Sequence, residues 1–195
     1  MADASKQREA IGQRVMAPRL LIISHAATPA THALVFGDQG KLLPGEIRPL
    51  NRRVASWVRG PEVACEATAV GLGGNAEPIH ELRGCDFGAW AGRALADVAG
   101  DDPAGLEAWL HDPQAAPHGG ESLAELINRV GRVADDHPWP DGRSVLVVTS
   151  LVARALLVHA LGAAPKVIFH IDIAPLSRAL ISRSQQMWRL TRLEG

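Results

Sequence analysis

The chain has 195 residues, with 20 Lys and Arg against 21 Asp and Glu. That length can bury a sizeable core in one α/β unit, and the near-neutral charge argues against a broad nucleic-acid surface, which needs clustered excess cations. No apolar run reaches the roughly 20 residues that span a bilayer, so no membrane partner is expected.

Residues 1–18 are polar and lack an apolar signal core. They are expected to form a flexible tail, with Met16 as an alternative start, ahead of a single domain over 19–195. Cys65 and Cys85 are too few for a disulfide framework, and no His/Cys cluster has zinc-site spacing. Neither a resident metal nor a cofactor is expected, and the default location is a reducing cytoplasm. Arg19 to Ser24 is a short apolar run suited to a strand buried on both faces. It ends in the loop-like Ser24-His25-Ala26-Ala27-Thr28-Pro29. Gly37 to Pro49 is rich in turn formers and predicts an excursion. The spacing of Leu50, Val54 and Trp57 predicts a helix over 50–58, followed by a short strand at 62–65 and a short helix at 66–72.

A further short strand is expected at 79–82, then an irregular, Gly-punctuated stretch from Gly84 to Arg93. Leu95 to Val98 and Pro103 to Leu110 predict helices, the second with proline in its first turn. Pro117 to Gly120 is a loop. Ser122 and Glu125 have capping-box spacing, and Leu123, Leu126, Ile127, Val130 and Val133 form the apolar face of the helix they begin. Val145 to Thr149 is the clearest strand, with Ser150 at its end and a buried helix from Leu151 to Leu161. Ala179–Ile181 and Met187–Leu190 predict a terminal hairpin.

Strands alternating with helices favour a three-layer α/β/α sandwich with a mostly parallel central sheet. Such sheets bind ligands beyond the carboxyl ends of their strands. If the strands ending at Ser24 and Thr149 are parallel, His25 and Ser150 share one edge of the sheet.

Three stretches then stand out: Leu82-Arg83-Gly84-Cys85-Asp86-Phe87-Gly88-Ala89-Trp90-Ala91-Gly92-Arg93; Trp109 to Pro113 with Pro117-His118-Gly119-Gly120-Glu121-Ser122; and the strand Val145–Thr149 with its helix. In this order and spacing the chain resembles the phosphoglycerate-mutase-like histidine phosphatase superfamily over nearly all of residues 19–191. The resemblance implies that His25 occupies the phosphate-acceptor position of the family's Arg-His-Gly motif. The flanking residues depart from it. The adjacent clamping Arg is Ser24, and a commonly found Asn falls on Thr31. A second clamping Arg falls on Ala64, the acidic proton donor on Gly84, and the second His on Ser150. A phosphoryl dianion needs cations around it while an imidazole attacks phosphorus, and Arg supplies a charged bidentate fork that Ser and Ala do not.

The candidate catalytic residues are therefore His25 and Asp86, the acid nearest the missing donor. Ser24, Thr28, Thr31, Glu121, Ser150 and Arg154 are the candidate ligand contacts. Four of them have a plainer reading. His25 as a relic, Asp86 as part of a supporting loop, Glu121 stabilised at a helix N-terminus, and Ser150 filling space are all open. His118 is expected to be an exposed loop residue. Arg52, Arg53, Arg83, Arg93 and Arg154 are the candidates to restore cationic charge, Arg154 foremost because it lies one turn after Ser150. Three functions remain open. One is a degenerate member that binds a small metabolite, phosphorylated or not, with weak or no phosphatase activity. Another is a working phosphomonoesterase with His25 as acceptor. The third is an isomerase, lyase or cyclase using His25 and Asp86 as acid and base. The resemblance also admits a homodimer.

Overall fold

The computed structural model describes residues 17–37 and 40–194. The expected tail up to Met16 lies outside the described residues. Strand β1 (Arg19–Ser24) leads to a short helix α1 (Pro29–Ala33), then β2 (Ser56–Arg59), α2 (Val63–Gly71) and β3 (Glu77–Pro78). Helices α3 (Leu95–Asp101), α4 (Pro103–His111) and α5 (Leu123–Asp136) follow. The chain then forms β4 (Arg143–Val148), α6 (Ser150–Ala160) and the hairpin β5 (Arg178–Ser184) and β6 (Met187–Glu194).

The strands make one sheet in the order β3-β2-β4-β1-β5-β6. The first four run parallel and the terminal hairpin joins antiparallel to β1. Alternation along the central strands sorts the two faces. Leu20 and Ile22 of β1 and Leu146 and Val148 of β4 pack with α5 and α6, whereas Ile23, Val145 and Val147 pack with Cys65, Ala69 and Leu72 of the α2 region. This is the expected three-layer α/β/α sandwich. The register Ser24↔Val148 puts His25 and Ser150 at the same carboxyl edge, as the parallel reading required.

Three local expectations are corrected. Residues 50–55 form no helix, and Ser56–Arg59 is a strand inserted between β3 and β4. Leu50, Val54 and Trp57 still cover one core face together, so their spacing reported shared burial but not conformation. The stretch expected as a strand at 62–65 begins α2 instead, because β2 already fills that place in the sheet. Its small residues Ala64, Cys65, Thr68 and Ala69 make a buried helical stripe. The strand expected at 79–82 is a 3-10 turn, His80–Leu82, with β3 just before it.

The capping box of α5 is present in full: the Ser122 hydroxyl accepts from the Glu125 N–H at 3.2 Å, and the Glu125 carboxylate accepts from the Ser122 N–H at 2.8 Å. These bonds satisfy two amide groups that the helix itself leaves unpaired. Replacing Ser122 by Ala is expected to cost about 1 kcal/mol, read as a lower urea midpoint with an unchanged slope.

Candidate functional site

His25 follows the last residue of β1 and is 4 % exposed. Its backbone N–H donates to the Val148 carbonyl at 2.9 Å, which locks the loop to β4. The ring Nδ1 lies 2.8 Å from the Ala26 carbonyl. A carbonyl only accepts, so Nδ1 carries the hydrogen, and in the neutral ring the lone pair is on Nε2. The Ala26 N–H donates to the Thr68 hydroxyl at 3.0 Å, and that hydroxyl donates to the Ala64 carbonyl at 2.7 Å. Helix α2 is thereby tied to the His25 loop, with the fully buried Ala64 beside it.

Ser24 is buried, and its hydroxyl donates to the Ala174 carbonyl at 2.6 Å. Thr28 and Thr31 cap α1 reciprocally, each hydroxyl accepting from the other's N–H. Ser150 opens α6 and is half-buried, with Thr149 as the N-cap. Arg154, one turn on, reaches Asp172 at 3.4 Å, while its Nε is buried without a hydrogen-bond partner. Burial pushes the Arg154 guanidinium down from its ordinary value, partly offset by Asp172.

Asp86 and Glu121 meet elsewhere. Both line a cleft of about 430 Å³ with Arg83, Glu125, Asn128, Arg129 and Arg132, and His25 is not among its lining residues. Asp86 is exposed, and its carboxylate accepts from the Gly88 N–H at 2.9 Å. Glu121 is held by Arg129, which lies 7 % exposed on α5. Arg129 Nε donates to one carboxylate oxygen at 2.7 Å and a terminal nitrogen to the other at 2.5 Å. Its remaining N–H groups reach the carbonyls of Glu81, Arg83 and Gly84. All five guanidinium donors are used.

Cys85 packs in the same loop. Burial pushes its thiol up to about 12, with Glu121 and Asp86 adding to the rise and Arg129 and Arg83 opposing it. It is a neutral packing residue. His118 departs from its exposed-loop expectation. It is buried edge-on against Trp90, at 4.9 Å between ring centroids, and Nδ1 accepts from the Gly120 N–H. The other charge-restoring candidates are spread apart: Arg93 pairs with Asp101, Arg83 lines the cleft just described, and Arg52 and Arg53 lie at the opposite pole of the sheet.

One residue that the sequence did not single out sits where position 84 faces the sheet edge. Glu62, at the N-cap of α2, turns its carboxylate inward and accepts the Gly84 N–H at 2.6 Å. Its second oxygen lies 3.5 Å from the Cys65 thiol, which donates to it. A Cβ built on Gly84 would lie 3.4 Å from Glu62 Oε1 and 3.6 Å from the Thr149 methyl. The carboxylate thus fills the space into which a side chain at 84 would project, next to the turn carrying Ser150. Gly60 makes this fold-back possible: a Cβ there would stand 2.3 Å from Glu62 Oε2. The only signal in the sequence was glycine at both 60 and 84, and four acids lie between them, so it did not single out Glu62.

Comparison with known proteins shows the family and the fold. The sequence model of the histidine phosphatase superfamily (branch 1) matches residues 49–194, and the chain belongs to that family. It is 31 % identical to the bifunctional protein Rv2228c of Mycobacterium tuberculosis, over 86 % of this chain and 51 % of that protein. The chain therefore spans about half the length of the curated relatives it matches. Among solved structures it is similar to a mycobacterial glucosyl-3-phosphoglycerate phosphatase in complex with VO3, with 25 % identity, a TM-score of 0.72 and coverage of 91 % and 98 % of the two chains. A putative alpha-ribazole-5'-P phosphatase from Escherichia coli superposes with a TM-score of 0.78 at 20 % identity, covering 92 % and 97 %, which speaks to the fold alone.

Two outcomes follow from this geometry. Arg129→Met would strand the Glu121 carboxylate in a poorly solvated place and is expected to cost about 3–5 kcal/mol in urea unfolding. Burial pushes the His118 imidazole down from its ordinary value, with Asp86 raising it in part. The unfolded chain then binds the proton more readily, so stability falls as pH drops below the unfolded value of about 6.5. Thermal melts from pH 7.5 to 5 are expected to fall less steeply in His118→Phe than in the wild type.

Proposed function

We propose that this chain uses the family pocket at the carboxyl edge of β1 and β4 to bind a small metabolite, and that ordinary phosphomonoester hydrolysis is weak or absent. The observation that carries this reading is that the family's clamp positions carry the buried Ser24, whose hydroxyl is spent on the Ala174 carbonyl, and the buried Ala64. A phosphoryl dianion over His25 would meet a buried serine whose hydroxyl faces a carbonyl, and a helix methyl. One lost oxyanion donor alone costs roughly 10²–10³-fold in rate. The same arrangement suits a neutral ligand or one that donates hydrogen bonds. In this reading His25 Nε2 accepts a proton or hydrogen bond and Glu62 supplies the acid or base partner, a part for which Asp86, exposed in a separate cleft, is worse placed.

The alternative of a working phosphomonoesterase is favoured by the Glu62 carboxylate standing at position 84, where the family carries its acid, and by the Nδ1–H bond from His25 to Ala26. That bond leaves Nε2 as the nucleophilic nitrogen, which a phosphate acceptor needs. Similarity to a glucosyl-3-phosphoglycerate phosphatase that holds VO3 points the same way. Here His25 would form the N–P bond as the ester P–O bond breaks, and Glu62 would protonate the departing oxygen.

The two readings separate in one set of measurements on the wild type, His25→Ala and Glu62→Gln. A panel of phosphorylated metabolites is expected to turn over no more than about tenfold faster in the wild type than in His25→Ala. A metabolite thermal-shift screen is expected to give a ligand that stabilises the wild type and not His25→Ala. A trapped phosphohistidine, with turnover that disappears in His25→Ala, would overturn the binding reading in favour of the esterase.

A further inference from the structure

The amino-terminal end of the sheet, opposite the His25 edge, carries a second concentration of charge. A cavity of about 750 Å³ is lined by Arg19, Arg52, Arg53, Arg143 and Asp141, with Val54, Ala55 and Gly142 completing its wall. Arg19 and Arg143 open β1 and β4 and are register partners on adjacent parallel strands. Their side chains leave the same face of the sheet, a few ångströms apart. Arg52 and Arg53 come from the loop before β2, which is fixed there by the Ala55 N–H donating to the Arg143 carbonyl at 2.7 Å.

Within the described residues this charge is not neutralised. Among the described residues, Arg19, Arg52, Arg53 and Arg143 make no ion pair. Arg143 Nε is buried and has no hydrogen-bond partner. Burial pushes the Arg143 guanidinium down, and Arg52, Arg19 and Arg192 push it further, against a smaller opposing pull from Glu194. Glu194 is itself paired with Arg192 at 3.1 Å, and Asp141 on the rim is exposed. Like charges on neighbouring strands destabilise a sheet, and an orphaned buried donor costs further. The fold carries both penalties at one place, around an open cavity.

We propose that this cavity binds a small polyanion bearing a di- or triphosphate group. A phosphate chain offers several acceptor oxygens and multiple negative charges, which matches guanidinium forks arriving from β1, β4 and the loop before β2. The volume suits a ligand of nucleotide size, and Val54 and Ala55 give one wall an apolar surface against which an organic moiety can rest. The site is independent of His25 and of whatever the carboxyl edge binds.

The test is calorimetric titration of the whole chain with inorganic tripolyphosphate and, separately, with ATP, both at about 0.15 M ionic strength, where exposed charges are screened beyond ~8 Å. Sulfate at matched ionic strength is the control. Saturable binding is expected in the wild type and in His25→Ala, weakened at least tenfold in the double variant Arg52→Gln/Arg53→Gln. Both of those arginines are exposed loop residues, so the variant is expected to keep the wild-type circular dichroism and melting curve. Equal affinity for the two probes supports recognition of the phosphate chain alone, and tighter ATP binding supports contact with the nucleoside as well. Absence of saturable binding, or equal binding by the double variant, would overturn the proposal. Loss of binding in His25→Ala would overturn it too, by placing the anion at the other edge. Binding of duplex DNA without binding of tripolyphosphate would make this face a nucleic-acid surface instead.

Discussion

The guanidinium of Arg129 is the contact on which the geometry of the His25 edge depends. A buried cation is costly unless every donor is satisfied, and here one carboxylate and three carbonyls do so. The carbonyls belong to Glu81, Arg83 and Gly84, so the segment after β3 is fixed to α5. The carboxylate is that of Glu121, so the loop before α5 is fixed to the same point. With the Gly84 carbonyl held on one side by Arg129, its N–H is presented on the other to Glu62. One ion pair in a supporting position thus sets where a carboxylate stands in the site.

Much of the frame can be read from the sequence because its signals are local. The apolar runs of β1 and β4, the capping box at Ser122 and the stripe from Leu123 to Val133 depend on spacing within a few residues. Their placement brought His25 and Ser150 to one edge without any knowledge of the fold. Where spacing is ambiguous the reading fails. Leu50, Val54 and Trp57 share a face in a loop and strand as readily as in a helix, and Ala64-Cys65 is too short a run to separate strand from helix.

The site was less legible, for a different reason. The acid nearest Gly84 along the chain is Asp86, two residues away. The carboxylate that meets Gly84 comes from 22 residues upstream, and only the packing of α2 against the 82–84 segment brings it there. His118 was misjudged for the same cause. Nothing beside it in sequence announces Phe87, Trp90 and Trp109, the rings that enclose it. Residues whose surroundings are built by distant segments leave no periodic trace.

The meeting of Glu62 with Gly84 has a genetic consequence. Both positions address the same small volume, so a substitution at one changes the consequence of a substitution at the other. A carboxylate introduced at 84 with Glu62 in place would crowd two negative charges together, and removal of Glu62 with glycine at 84 would leave none. Passage between these two arrangements by single substitutions runs through an intermediate with either a repelled or an empty site. A carboxylate at this place can therefore be supplied from either side of the volume, and exchanging one supplier for the other takes both substitutions together.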